Sequence, residues 1–265
     1  MTTAVTAPTS PWSPLRIRVF RDLWLASLVS NIGTMMHAVA AAWAMTDLSD
    51  SPTVVSLVQT AWAVPGFLVA VPAGALADVV DRRRLILLSQ VVSMVFATAL
   101  GVLAVADRLD VPLLLLGTFL LSIALTMSAP AFMALLPDLV EPRELTQAIG
   151  MNNIAYNGAQ SAGPALAGIV IAFSGPGAVF LLNAASFLGI VAVMWRYRPA
   201  HPGPTSTESM RAAMKSGAVY FFRRPVLQKY AARIFLAFLA VAALVALLPV
   251  VARQRLDATP GQYGL

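Results

Sequence analysis

Long apolar runs, separated by short polar connections, dominate the pattern of residues along the chain. Each run stays apolar for about 20 residues, the length that a helix needs to cross the hydrocarbon core of a bilayer. Strands of a membrane barrel would instead alternate between apolar and polar residues over about ten positions. The pattern therefore predicts an all-α, polytopic membrane protein with spans at 23–45, 54–77, 85–106, 111–136, 149–173, 178–195 and 234–251.

The connections divide the chain into four segments. Residues 1–14 are rich in Thr, Ser, Ala and Pro without an apolar period, which predicts a disordered tail. Residues 15–196 form a predicted six-helix transmembrane bundle, and the long connection 197–233 is a predicted cytoplasmic linker. Residues 234–265 would contain the seventh spanning helix. We interpret the segment after this helix as a truncated end.

The linker contains a second type of helical pattern. Thr205 and Glu208 have the spacing of a capping box, and Met210, Met214 and Phe221 recur at helical spacing. This pattern predicts an amphipathic helix on the membrane surface. A regulatory helix that binds a calmodulin-like partner is the alternative.

Composition narrows the class of protein. Hydrophobic residues make up 58% of the 265 residues and charged residues 11%, with a mean hydropathy of +0.77, which excludes an ordinary soluble enzyme. The chain has no cysteine and only two histidines, His37 and His201, so we expect no disulfide, metal or cofactor. Phosphate-loop and hydrolase motifs are also missing from the sequence, and we expect no enzymatic activity.

The distribution of charge predicts the orientation in the membrane. Of the 18 lysines and arginines, all but Arg108, Arg253 and Arg255 fall in segments on one side of the predicted spans. Such a bias marks the cytoplasmic side, so we expect a multi-pass protein of the cytoplasmic membrane with its N-terminus inside. The orientation in the lipid bilayer then accounts for the net charge of +6, and we expect no nucleic acid as a partner.

The loop after the second span carries a glycine, a leucine and a run of charges: Gly74, Leu76, Asp78, Asp81, Arg82, Arg83 and Arg84. This segment resembles the loop between helices two and three of the major facilitator superfamily, although Val79 and Asp81 replace a basic residue and a glycine. The small Gly74 would allow close helix packing, and the Asp78 carboxylate could latch one conformation of a rocking transporter. The alternative is that the arginines only set the topology.

The fifth span resembles the antiporter motif of the same superfamily. It carries small residues at matching spacings, with alanine in place of glycine at two positions: Gly150, Ala159, Gly163, Pro164, Ala167 and Gly168. Small residues let helices approach closely, and the proline permits a kink. Ordinary packing of small residues is the alternative.

Together these segments resemble the exporter branch that contains enterobactin and drug efflux proteins. The resemblance covers the N-terminal six helices, arranged as two inverted three-helix repeats, plus the seventh. It implies transport of a small-molecule substrate by alternating access, often outward and driven by protons, in a fold of two six-helix halves. A truncated or non-transporting protein, completed by a second half or by a homodimer, is the alternative.

Polar residues deep within spans are candidates for a transport cavity, because such groups are costly in contact with lipid. The candidates are Asn31, Thr34, His37, Gln59, Asn157 and Gln160. Hydrogen bonds between helices are the alternative role for any one of them. No Asp or Glu lies in the middle of a span, so a proton carrier would be His37, Asp78 or a residue of another half. A neutral packing role for His37 remains equally open.

Overall fold

The computed structural model describes residues 10–198 and 219–256, and the elements in these ranges are helices. Five helical segments are long and apolar enough to cross a membrane. This confirms the predicted all-α, polytopic membrane fold. The α-helices are α1 (Arg18–Leu48), α2 (Pro52–Val79), α3 (Arg82–Val105), α4 (Val111–Leu139), α5 (Leu145–Arg196) and α6 (Pro225–Leu256).

Helix α5 has 52 residues, about 78 Å if it were straight and far more than a bilayer core requires. Its helical geometry breaks at Gly175, where φ is 73° and ψ is 173°, a conformation suited to glycine. Pro176 follows directly and begins the second stretch. We call residues 145–174 the first limb and 176–196 the second limb. The break lies between the fifth and sixth predicted spans, as the apolar pattern indicates.

The two ends of the helix bundle differ in charge. At one end, which we call the basic end, lie Arg82, Arg83 and Arg84, where α3 begins. At the opposite acidic end lie Asp47, near the end of α1, and Asp110, which precedes α4. Each end has its own buried apolar cluster, around Phe20, Ile86 and Met194 at the basic end and around Trp43, Met45 and Phe180 at the acidic end.

Helix α1 packs closely against both limbs of α5. A Cβ atom added to Gly163 of the first limb would collide with the Met35 Cβ of α1. On the second limb, the Oδ1 of Asn183 lies 2.8 Å from the position of a Cβ added to Gly33. The indole Nε1 of Trp24 also donates to the carbonyl of Met151 across 2.9 Å. Small residues thus bring the backbones of α1 and the two limbs close together.

Helix α6 lies against α2, where the rings of Phe67 and Phe235 meet edge to face with centroids 6.0 Å apart. It begins at Pro225 rather than at the predicted residue 234, which corrects the boundary of the linker. Proline favours the first position of a helix, and the prediction had started this helix at its apolar stretch. The predicted amphipathic helix from Thr205 lies mostly outside the described residues.

The N-terminal segment also differs from its prediction. Residues 13 and 14 belong to a 3-10 helix, Ser13–Arg16, in which Ser13 and Pro14 are buried. The disordered tail predicted through residue 14 therefore extends too far. Residues 1–9 lie outside the described part of the chain.

Candidate functional site

A cavity of about 470 Å³ lies between α1, α2, α3, α4 and the first limb of α5, and Ile190 of the second limb also contributes to its lining. Its polar wall consists of hydroxyl and amide side chains, namely Ser27, Ser30, Asn31, Thr34, Gln90, Ser122, Thr126, Ser128, Asn152, Asn153 and Tyr156. Its apolar wall includes Trp62, Phe132 and Met133.

The residues lining this cavity carry no formal charge. They offer hydroxyl and amide groups that donate and accept hydrogen bonds, beside aromatic rings. The hydroxyl of Ser122 donates to the backbone carbonyl of Trp62 across 2.6 Å, which joins α4 to α2 at the wall. A small molecule with neutral polar groups and an apolar body matches this lining.

Gln90 of α3 is a lining residue that the sequence analysis missed. Only 2% of it is exposed, and its Oε1 has no hydrogen-bond partner among the described residues. Gln90 is the sixth residue of the predicted span 85–106, and Gln59 is the sixth residue of the span 54–77, so depth along a span does not separate the residue that lines the cavity from the one that does not. The signal available was that Gln90 is the single amide side chain of α3 and lies within its apolar stretch.

Two of the predicted cavity residues, Asn31 and Thr34, line the cavity. His37, one helical turn further along α1, does not. It is fully buried, with its ring centroid 4.6 Å from that of Phe180. Neither ring nitrogen has a hydrogen-bond partner within the described part of the chain. His37 is therefore not part of the lining of this cavity.

The remaining predicted cavity residues lie at other surfaces. Gln59 faces a separate cavity of about 430 Å³ between α2 and α6, beside Phe235. Asn157 and Gln160 are exposed on the first limb of α5. The amide nitrogen of Asn157 donates to the carbonyl of Asn153 in the same helix across 2.8 Å. These three residues do not share the central cavity with Asn31.

The arginines at the basic end contact different helices. Arg82 donates from Nη1 to the carbonyl of Ala134, at 2.8 Å, and to the Asp138 carboxylate, at 3.1 Å, both near the end of α4. Arg83 donates to the carbonyls of Met194 and Trp195 at the end of α5. Cationic groups are favourable at the C-terminal ends of helices, where carbonyl oxygens lack partners within the helix.

The other residues of this loop have distinct positions. The Asp81 carboxylate accepts the backbone N–H of Arg84 across 3.0 Å and so caps α3. Leu76 packs against the apolar cluster of the basic end. A Cβ added to Gly74 would meet nothing within 4 Å, so Gly74 makes no close helix contact within the described part of the chain. The Asp78 side chain lies outside the described residues, so its predicted latch contact is not visible.

The antiporter-like motif is divided between two faces of the first limb. Ala159, Gly163 and Gly168 are buried, and Gly163 packs against α1. A Cβ added to Gly150 would meet nothing within 4 Å, and Pro164 is half-buried. One part of the motif therefore joins α5 to α1, while the other lies on an open face.

Comparisons with known proteins agree with this architecture. A family model, MFS_3, described as transmembrane secretion effector, matches residues 9–265. The MFS-type transporter y4rN of Sinorhizobium fredii is 29% identical over 210 residues, which are 78% of this chain and 51% of the relative. The MFS-type transporter YfiS of Bacillus subtilis is 29% identical over 217 residues, 77% of this chain and 49% of the relative.

A third relative has a named substrate. The staphyloferrin A transporter of Staphylococcus aureus is 26% identical over 160 residues, which are 60% of this chain and 40% of the relative. The chain thus spans about half the length of the curated relatives that it matches. Because the family model covers nearly the whole sequence and these relatives are MFS-type membrane transporters, the chain belongs to the transmembrane secretion effector family of the major facilitator superfamily.

Proposed function

We propose that this chain supplies one half of a secondary active transporter, which exports a small amphipathic molecule by alternating access. The observation that carries the proposal is the uncharged polar and aromatic cavity inside a bundle of membrane-crossing helices. Polar groups at this depth are unfavourable beside lipid, and a water-filled pathway accommodates them. The family membership supports the same function.

The basic end of the bundle faces the cytoplasm in this proposal, and the protein lies in the cytoplasmic membrane. Support comes from the clustering of Arg82, Arg83 and Arg84 at that end, opposite Asp47 and Asp110. Basic residues accumulate on the cytoplasmic side of membrane proteins. The arginine contacts to α4 and α5 would let the bundle rock as one body during alternating access.

A second unit covers the exposed face of the first limb in this proposal. Asn153, Asn157, Gln160 and Ser161 are exposed there, within a helix long and apolar enough to span the membrane. Side chains of this kind favour contact with protein or water over contact with hydrocarbon. The unit is a second transporter half, and a homodimer of this chain is the alternative. The alternative to the transport function is a membrane protein that does not transport.

Proton coupling is part of the proposal, but the carrier lies away from the central cavity. The cavity lining has no carboxylate or imidazole, and the buried His37 lies outside that lining, with its ring between those of Phe180 and Trp62. His37 therefore has no direct contact with a molecule in the cavity through which a proton could pass. Asp78 or a group in the second unit therefore remains as the carrier.

Proteoliposomes with an enclosed pH-sensitive dye test this function. Addition of a panel of neutral and charged fluorescent amphiphiles under a proton gradient should produce amphiphile-dependent proton movement. The double variant Asn31→Leu and Thr34→Val should abolish it, because both side chains line the cavity. The control Gln59→Leu, at the α2–α6 cavity, should retain it. Lack of proton movement with every amphiphile, with the chain alone and as a linked dimer, would favour the non-transporting alternative.

A further inference from the structure

Helix α3 and the second limb of α5 pack side by side on the outside of the bundle. A Cβ added to Gly101 would lie 2.7 Å from the side chain of Leu181, so the two backbones approach closely. At the basic end, Arg83 joins the helices through its hydrogen bonds to the carbonyls of Met194 and Trp195. We call the exposed surface along this contact the α3–α5 seam.

Both helices present exposed apolar side chains along the seam. On α3, Leu88, Val95 and Val102 are more than half exposed, and their spacing of seven residues places them on one face. On the second limb, Leu188 and Ala192 are exposed and lie one turn apart. Because both helices are long and apolar enough to cross the membrane, this surface faces the acyl chains of the lipids.

The exposed faces become polar where the two helices meet at the basic end. Arg84 continues the exposed face of α3 by one turn, and Val105 lies about 32 Å away along the helix, close to the thickness of about 30 Å of a hydrocarbon core. On the second limb, Arg196 continues the exposed face and Trp195 is 72% exposed beside it. These side chains therefore lie at the depth of the lipid headgroups.

The protein itself neutralises little of the positive charge at this place. Arg196 and Arg198 form no ion pair within the described part of the chain. Arg84 has one acidic neighbour, since the Asp81 carboxylate lies 4.0 Å from its Nε and also caps α3. Exposed ion pairs of this length are weak, so the guanidinium groups of Arg84 and Arg196 are both accessible to an anion.

An acidic phospholipid has parts that match each part of this surface. Guanidinium groups form strong charge-assisted hydrogen bonds with phosphate, as Arg84 and Arg196 would with the headgroup. The ring of Trp195 combines an apolar body with an N–H donor, which favours the boundary between headgroups and acyl chains. The acyl chains would cover the apolar seam. The ammonium group of a zwitterionic lipid would be repelled by the two arginines, so an acidic headgroup is favoured.

We propose that the basic end of the α3–α5 seam binds one acidic phospholipid, held by Arg84, Trp195 and Arg196. The site lies on the outside of the bundle, and none of these residues lines the central cavity. Binding of the lipid is therefore independent of whether the chain transports. Arg83 is a positioning residue of the site, because it joins the two helix ends that form it.

The test uses the full chain in phosphatidylcholine vesicles that contain a variable fraction of one lipid with brominated acyl chains, either phosphatidylglycerol or phosphatidylcholine. Bromine quenches tryptophan fluorescence on contact. The quenching that is lost in Trp195→Phe, made in each background, separates the signal of the seam from that of the other tryptophans. Half-maximal quenching of this signal should require at least about tenfold less brominated phosphatidylglycerol than brominated phosphatidylcholine, since each arginine near an acidic headgroup strengthens the attraction about fivefold.

Arg84→Gln combined with Arg196→Gln should remove this preference. Arg84→Lys combined with Arg196→Lys keeps both charges and should retain most of it. The matched control is Arg21→Gln combined with Arg143→Gln, which removes two exposed charges of the same end that each lie within 3.5 Å of a carboxylate. The control should leave the preference at Trp195 unchanged. Circular dichroism should show the same helix content in all these variants, because the changed side chains are exposed.

Three results would overturn the proposal: equal quenching by the two brominated lipids in the wild type, an unchanged preference in the double glutamine variant of Arg84 and Arg196, or an equal loss in the control. The last result would show a general attraction of the basic end to acidic lipids without a site. The proteoliposome experiment answers separately whether the chain transports. Transport without the lipid preference would refute this site alone, and the lipid preference without transport would refute the proposed function alone.

Discussion

The Nε of Arg83 donates a hydrogen bond to the carbonyl oxygen of Met194 across 2.6 Å, so the start of α3 caps the last turn of α5. Its Nη2 also donates to the carbonyl of Trp195 across 3.0 Å. The neighbouring Arg82 contacts α4 instead, and the side chain of Arg84 is 81% exposed. Three consecutive arginines that look equivalent in the sequence therefore have three different environments.

Arg83→Ala should lower the free energy of unfolding by about 1–2 kcal/mol, because two carbonyls at a helix end lose a charged donor. The control is Arg84→Ala, which should change it by less than about 0.5 kcal/mol because its contact with Asp81 is exposed and 4.0 Å long. Hydrogen exchange of residues 190–196 measures the local effect. Equal protection in both variants would show that Arg83 contributes only charge.

Asp138→Asn should lower the pKa of the Tyr197 phenol. Tyr197 directly follows α5, and burial, followed by the nearby Asp138 carboxylate, raises its pKa above the ordinary value. Removal of the carboxylate relieves its repulsion of the tyrosinate, while the effect of burial remains. Tyrosinate absorbance during a pH titration measures the change, with Tyr197→Phe to identify the signal among the five tyrosines.

The same shift has a consequence for stability. Because the folded-state pKa of Tyr197 is raised above the unfolded value, its contribution to stability is complete below the ordinary tyrosine pKa and is lost as the pH rises through the folded value. Asp138→Asn should therefore reduce the loss of folding stability that Tyr197 causes at alkaline pH. A Tyr197 titration that does not move in Asp138→Asn would contradict the assigned charge effect.

Gly163→Ala should destabilise the bundle by about 1–3 kcal/mol, because the new Cβ would overlap Met35 and force α1 away from the first limb. Gly150→Ala in the same limb should be neutral or stabilise by about 0.5–1 kcal/mol, since its Cβ enters open space and reduces backbone freedom in the unfolded chain. Thermal unfolding of the two variants measures the difference. Similar values for both would argue against the close α1–α5 contact.

His37→Leu should leave the free energy of unfolding unchanged or raise it by about 1 kcal/mol, because neither imidazole nitrogen has a partner in the described structure. His37→Ala should instead lower it by about 2–4 kcal/mol, since it leaves a void beside Phe180. In proteoliposomes, the pH profile of transport by His37→Leu should match the wild type. A flattened profile would restore His37 as the proton carrier.

The helices of this protein were largely predictable from the sequence, whereas the lining of its cavity was not. The apolar runs predicted the positions of the helices well. A membrane span must form all its backbone hydrogen bonds internally and present apolar side chains to lipid, whatever helices lie beside it. The start of α6 at Pro225 was missed, since Gln228, Lys229 and Arg233 interrupt the apolar residues of its first turns. Gln90 was missed because its depth along α3 did not indicate its role.

The sequence alone determined that the chain crosses a membrane several times, where most of its helices lie along the chain, and that basic residues gather at one end of the spans. The tertiary structure decided which polar residues share a cavity. Thr34 lines it, yet His37, a single turn away on α1, packs against Phe180. The hydropathy pattern indicates which segments span the membrane and how far along a span a residue lies. The neighbours of its side chain depend instead on how the helices rotate and pack together.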